Sequence, residues 1–97
     1  MPKAYWVSVY RSISDPKKLE AYAKLAPPAV TPFGARYIAR GIAAAAFEAG
    51  QKERIVISEF PSLDKAVAAY NSPAYKKALE ALGDGAVRDI RIVEGTD

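Results

Sequence analysis

The stretch from Arg54 to Leu82, RIVISEFPSLDKAVAAYNSPAYKKALEAL, constrains the fold most tightly, because it holds a strand and two helix starts in one run. Arg54 to Phe60 is β-branched and aromatic, and Pro61 ends it by removing a backbone donor and fixing φ, so a short, largely buried strand is expected. Ser62 then caps a helix in which Leu63, Ala66, Val67 and Tyr70 form one apolar stripe at i, i+3, i+4 and i+7. Ser72-Pro73 opens another, with Ser72 as cap and Pro73 at the first helical position, where a missing N–H costs nothing. Tyr75, Ala78, Leu79 and Leu82 repeat the stripe.

The rest of the chain completes a sheet around this run. Lys3 to Arg11 reads as the first strand, with Tyr5, Val7 and Val9 on one face and Ala4, Trp6, Ser8 and Tyr10 on the other. Asp15-Pro16 opens the first helix, whose stripe is Leu19, Tyr22, Ala23 and Ala26. A proline inside a helix costs about 3 kcal/mol. Pro27-Pro28 is therefore expected to kink or break this helix, with a second short helical piece reaching Pro32 and Gly34 ending it in a left-handed conformation. Ala35 to Arg40 reads as the second strand, and Gly41 permits a bend or bulge. Alanine propensity makes Ile42 to Glu48 a helix, whereas its position before the Arg54 strand makes it a continuing strand; the strand is the expectation taken, with Ala49 to Lys52 as the hairpin loop. Gly83 and Gly85 end the last helix, and Ala86 to Val93 forms the final strand, with Ile90 and Ile92 on one face.

The resulting order, β-α-β-β-α-(α)-β, is a split βαβ pattern: an α+β fold with one antiparallel four-stranded sheet and its helices on one face. At 97 residues it makes a single domain, residues 1–97. The two strands central in that topology carry bulk on both faces, Tyr5 and Val7 against Trp6 and Tyr10, Ile55 and Ile57 against Val56 and Phe60. Helices from one chain cover only one of those faces. The other should meet a second copy, sheet on sheet at about 10 Å, in a two-fold homodimer.

Absent residue types narrow the chemistry. The chain has no cysteine, hence no disulfide, thiolate nucleophile or zinc–thiolate site, and no histidine, the commonest metal ligand and usual general base near neutral pH. No metal and no bound cofactor are expected, and no phosphate loop or nucleophile elbow is present. The net charge of +3 comes from lysines and arginines scattered among acids, which describes a solvated surface rather than a nucleic-acid partner. Without a long apolar segment or a signal-peptide core, no membrane partner is expected and the cytoplasm is the expected compartment.

Glu59 is the best candidate for acid–base or ligand chemistry, since it ends the strand face that carries Ile55 and Ile57; its alternative is an ion pair with Arg36, Arg40 or Arg54. Arg36 and Arg40, four apart on one strand, are expected on the same face, where two guanidiniums suit a carboxylate or phosphate, or pair with Glu48 and Glu59. Trp6 and Tyr10 share a face, with Tyr22, Tyr70 and Tyr75 on helix stripes, so they form either an aromatic wall for a planar ligand or ordinary core.

Glu59-Phe60-Pro61-Ser62, Ser72-Pro73-Ala74-Tyr75 and Val93-Glu94-Gly95, with Arg36 and Ala39-Arg40-Gly41 upstream, together resemble the DUF1330 family of small bacterial proteins over nearly the whole chain. The resemblance implies a ferredoxin-like subunit of the dimeric α/β-barrel type. Related barrel families include monooxygenases and isomerases, so it leaves two functions open: a binding protein for a small anionic or aromatic ligand, or a cofactor-independent enzyme on a small organic acid. Glu48 matches an acidic residue before a glycine in the family pattern, although Ala49 intervenes here. Ile42 stands where a second glycine often follows Arg-Gly, and Leu82 where many members carry an arginine, which implies a changed or reduced site.

Overall fold

The computed structural model describes residues 2–96. Its elements are β1 (Ala4–Ile13), α1 (Pro16–Val30), a 3₁₀ turn (Thr31–Phe33), β2 (Arg36–Ile42), β3 (Arg54–Phe60), α2 (Leu63–Tyr70), α3 (Pro73–Leu82) and β4 (Ala86–Glu94). The strands form one antiparallel sheet in the order β2-β3-β1-β4, with β1 and β3 central. All three helices cover one face, and the shortest extent, 16 Å, is that of two layers. Among the described residues, no helix is long and apolar enough to cross a membrane.

The caps form as the sequence dictates. Asp15 accepts from the backbone N–H groups of Lys17 and Lys18, Ser62 from Lys65 and Ser72 from Tyr75. Gly34 closes the 3₁₀ turn at φ 90° and donates its N–H to Thr31.

Three expectations are corrected. First, α1 runs through Pro27 and Pro28 to Val30 without a break, and the second helical piece is the 3₁₀ turn over Pro32. Both prolines lie in the last turn, and the helix forgoes the two bonds their missing N–H groups would have made to the Ala23 and Lys24 carbonyls. Burial of Ala26, Ala29 and Val30 offsets that loss, and the Thr31 N–H satisfies the Pro27 carbonyl. Second, the strand does not continue through Ile42–Glu48. Its last pair is Ile42 with Arg54, followed by one bond from Ala43 N–H to the Glu53 carbonyl. The alanines that follow have too little side chain to bury on a sheet face, and the chain turns at Phe47–Gly50 with Glu48 at φ 53°. Third, α2 buries Ala66 and Ala69 rather than the full expected stripe, leaving Leu63 and Val67 exposed. This short helix reaches the sheet through its two small residues.

Alternation along β1 sorts the sheet into two faces. Ala4, Trp6, Ser8 and Tyr10 are buried beneath the helices, as are Ser58 and Phe60 of β3, and Ile90 and Ile92 of β4 pack against the same core. The opposite face holds Tyr5, Val7, Val9, Ile55, Ile57 and Val93, half-buried or, for Val9 and Val93, exposed at 40% and 58%. No helix covers it.

Two sites test these local rules. An alanine Cβ at Gly34 would sit 2.7 Å from Cγ of Pro61 and keep the left-handed backbone, so Gly34→Ala should destabilise by at least about 2 kcal/mol, read in thermal melts. At the junction of α1 with the α3–β4 turn, Lys18 pairs with Asp84. Their hydrogen bond, reinforced by charge, lowers the Asp84 pKa below 3.8 and raises that of Lys18 above 10.5. The Asp84 contribution is present above its unfolded pKa and lost as pH falls through the folded one; the Lys18 contribution is present below its unfolded pKa and lost as pH rises through the folded one. Denaturant titrations should therefore find a small stability difference between wild type and Asp84→Asn, level from about pH 5 to 9 and shrinking in acid.

Candidate functional site

The helix-covered face of the sheet encloses an aromatic pocket at the end where β1 leaves the core. Trp6 anchors its floor. The Trp6 ring stacks on Phe60 at 5.9 Å, meets Tyr75 edge-on at 5.0 Å and Tyr70 at 5.5 Å, and its Nε1 donates to Ser8 Oγ at 3.0 Å. This side chain is satisfied and fixed, which makes it wall rather than chemistry. Further along β1, Tyr10 is 2% exposed, with the guanidiniums of Arg54 and Arg88 at 5.8 and 5.6 Å from its ring. From the helices, Tyr22 of α1 and Tyr75 of α3 bring their hydroxyls to 2.6 Å, and Arg88 donates from Nη1 to the Tyr22 oxygen at 2.9 Å.

Trp6, Tyr10, Tyr22, Tyr37 and Tyr75 line the pocket with Arg40 and Arg54, and Ser8 and Ser58 add hydroxyls to its floor. The cavity volume is about 40 Å³. That enclosure admits a small group, so an organic ring would occupy the mouth. Among the described residues, no carboxylate belongs to the lining. Arg40 lies 4.8 Å over the Tyr37 ring. Arg54 is half-buried, and its Nε is fully enclosed without a hydrogen-bond partner. Neither guanidinium has a carboxylate partner among the described residues. Burial, with the nearby Tyr22 oxygen, pushes the Tyr75 phenol far above its usual range, and burial also raises that of Tyr37, so both keep their protons at neutral pH. Among the described residues, no cluster of acidic side chains could hold a metal ion.

The candidates named from sequence divide between two faces. Trp6, Tyr10, Arg40 and Tyr75 meet in the pocket. Glu59 lies on the opposite face, opposite Tyr5 on β1 and Arg36 on β2, and pairs at 3.5 Å with both Arg36 and Lys3. Glu48 is exposed in the β2–β3 loop, away from the lining. Arg36 and Arg40 do not share a face: between Tyr37 and Ala39 the register of β2 against β3 slips by one residue, leaving Ile38 as an extra residue. The bulge inverts the alternation, so Arg36 sits across from Glu59 and Arg40 across from Val56 on the pocket side. Leu82 is buried, and Ile42 is 73% exposed.

Arg54 and Tyr37 complete the lining without having been chosen as site residues, and Arg88 stands behind it, bonded to Tyr22. Strand alternation carries the signal for two of them: Arg54 shares parity with Val56 and Phe60, and Arg88 with Ile90 and Ile92. Tyr37 and Arg40 reach the pocket side together only through the bulge, for which the residues give no local signal.

Among solved structures, a protein of unknown function from Rhodopseudomonas palustris is similar over 99% of this chain and 82% of its own, with 17% identity and a TM-score of 0.73. A protein of unknown function from Thermobifida fusca, described as dimeric and ferredoxin-like, matches over 97% and 90% at 19% identity and TM-score 0.62. The cofactor-independent oxygenase SnoaB from Streptomyces nogalater matches over 100% and 96% at 10% identity and TM-score 0.66. At these identities the likeness is one of fold, the ferredoxin-like α+β fold with β-α-β-β-α-α-β order. None of the curated proteins matches the chain. The family model of DUF1330, a domain of unknown function, matches residues 3–96, and the chain belongs to that family.

Proposed function

We propose that the chain works as a two-fold homodimer and that each subunit binds a small planar organic anion in its aromatic pocket. The observation that carries the ligand is an imbalance of charge: Arg40 and Arg54 line an aromatic enclosure that contains no carboxylate, and one nitrogen of Arg54 is buried without a partner. A buried donor left unsatisfied costs about 1–3 kcal/mol. An anionic oxygen set against the accessible nitrogens of the two guanidiniums would add charge-assisted bonds, while the tyrosines meet a flat ligand. The open sheet face supports the dimer. Its half-buried Tyr5, Val7, Ile55 and Ile57 form a central apolar strip, which a second copy would cover, and the similar protein from Thermobifida fusca is described as dimeric.

A cofactor-independent enzyme acting on a small organic acid is the alternative, favoured by the fold shared with SnoaB. The pocket itself argues for binding. Its lining holds neither a carboxylate nor an imidazole, Tyr75 and Tyr37 keep their protons, and Glu59 lies on the far side of the sheet.

Calorimetry with benzoate tests the pocket: wild type should bind, and Arg40→Ala, a change at an exposed position, should weaken binding on the order of tenfold with little change in melting temperature. A large loss of stability with dissociation of the dimer would instead make Arg40 structural. The dimer is tested by light scattering. The double variant Val7→Glu, Ile57→Glu places four carboxylates across a two-fold interface and should halve the mass seen for wild type; a monomeric wild type sinks the assembly.

A further inference from the structure

The floor of the pocket holds a hydroxyl that the fold does not use. Ser58 of β3 is 5% exposed, and among the described residues its side chain has no hydrogen-bond partner. Trp6 lies directly across from it on β1, yet the indole N–H turns to Ser8 instead. The Ser58 oxygen is not sealed off. Among the described residues, Arg54 Nε is the side-chain atom fully enclosed without a partner, so the Ser58 oxygen keeps accessible surface, which opens into the cavity that Ser58 lines. Ser8, 6% exposed and lining the same cavity, spends one lone pair on Trp6 and keeps its hydrogen. Alanine at position 58 would give Trp6 the same room without burying an idle hydroxyl. Two central strands therefore present a pair of hydroxyls on one face, Ser58 opposite Trp6 and Ser8 one row along, opposite Val56.

We propose, resting on the pocket reading above, that Ser58 and Ser8 form a subsite for a hydroxyl of the ligand, and that the ligand is a hydroxy-substituted aromatic acid. Its acidic group meets the guanidiniums and its hydroxyl meets the floor. Arg54 and Ser58 lie on the same face of β3 four residues apart, about 13 Å of strand, so a ligand that meets both carries its polar groups at opposite ends of the ring. The hydrogen-bonding inventory selects the inner group. Ser58 offers a donor and an acceptor, and Ser8 offers its remaining donor. A hydroxyl answers both, giving its hydrogen to Ser58 Oγ and accepting from Ser8. A carboxylate turned inward could only accept, and would leave the guanidiniums behind. A methyl group answers neither serine. The cavity volume of about 40 Å³ suits an entering group of this size, with the ring held further out among the tyrosines. Ser58 thus sets specificity, while Arg40 and Arg54 hold the charge common to all aromatic acids.

The probes are benzoate, 4-hydroxybenzoate and 4-methylbenzoate, which share the acid and the ring. In calorimetry, wild type should bind 4-hydroxybenzoate about tenfold more tightly than either of the others. Ser58→Ala should remove most of that preference while leaving benzoate affinity within about twofold and the melting temperature no lower. Equal affinity for the hydroxy and methyl compounds in wild type overturns the subsite without recourse to any variant. So does a preference that survives Ser58→Ala in folded protein. If Ser58→Ala weakens benzoate and 4-hydroxybenzoate by the same factor, the serine serves packing alone and the subsite is again overturned. In each of these cases benzoate binding to wild type leaves the arginine pocket standing. Failure of wild type to bind all three acids overturns the pocket and the subsite together.

Discussion

The fold depends on what lies under the Trp6 ring. That one side chain, 4% exposed, brings β1, β3, α2 and α3 into contact through Phe60, Tyr70 and Tyr75. Each aromatic pair contributes about 0.5–1.5 kcal/mol beyond the area it buries. A chain of 97 residues without a cysteine, hence without a disulfide, has little else to fasten its helices to its sheet. The polar demand of the indole is met within its own strand by Ser8, so the cluster is closed. The pocket shares that floor and runs along β1 from Trp6 through Ser8 to Tyr10.

This arrangement separates structural polarity from the polarity of the site. Glu59, 14% exposed in its side chain, is neutralised by Lys3 and Arg36 on the open side of the sheet. Arg40 and Arg54, on the helix side, are left with aromatic faces and no ion-pair partner among the described residues. The sheet thus acts as a partition. Lys3, Arg36 and Glu59 balance one another on one side, and the guanidiniums of Arg40 and Arg54 lie against tyrosine rings on the other.

Much of the fold was legible in local chemistry, because each helix start is written in two or three residues: Asp15-Pro16, Ser62 after Pro61, and Ser72-Pro73. The strands were legible through period-two bulk, and their shared fold with the solved structures follows from that order. Three features were not. Pro27-Pro28 announces a break that burial of Ala26 and Val30 overrides. The alanines after Ile42 have no periodicity of either kind, and their irregular path is set by where β3 begins. In the site, Trp6, Tyr10, Tyr75 and Arg40 could be named from sequence, whereas Glu59, which alternation puts on the face of Ile55 and Ile57, takes its ion-pair reading with Arg36, because only the tertiary structure tells which face the helices take.

The extra residue at Ile38 has a consequence for how such a chain changes over time. In an uninterrupted strand, Arg36 and Arg40 would emerge on the same side, and moving one of them across the sheet would take new side chains at several positions. With the bulge, a single codon gained or lost exchanges the side on which every residue before it emerges relative to those after it. Relatives of this protein can therefore transfer positive charge between the exterior of the sheet and its sheltered side by insertion or deletion alone. Comparing them by residue identity without regard to length in β2 would assign the same arginine to opposite sides of the sheet.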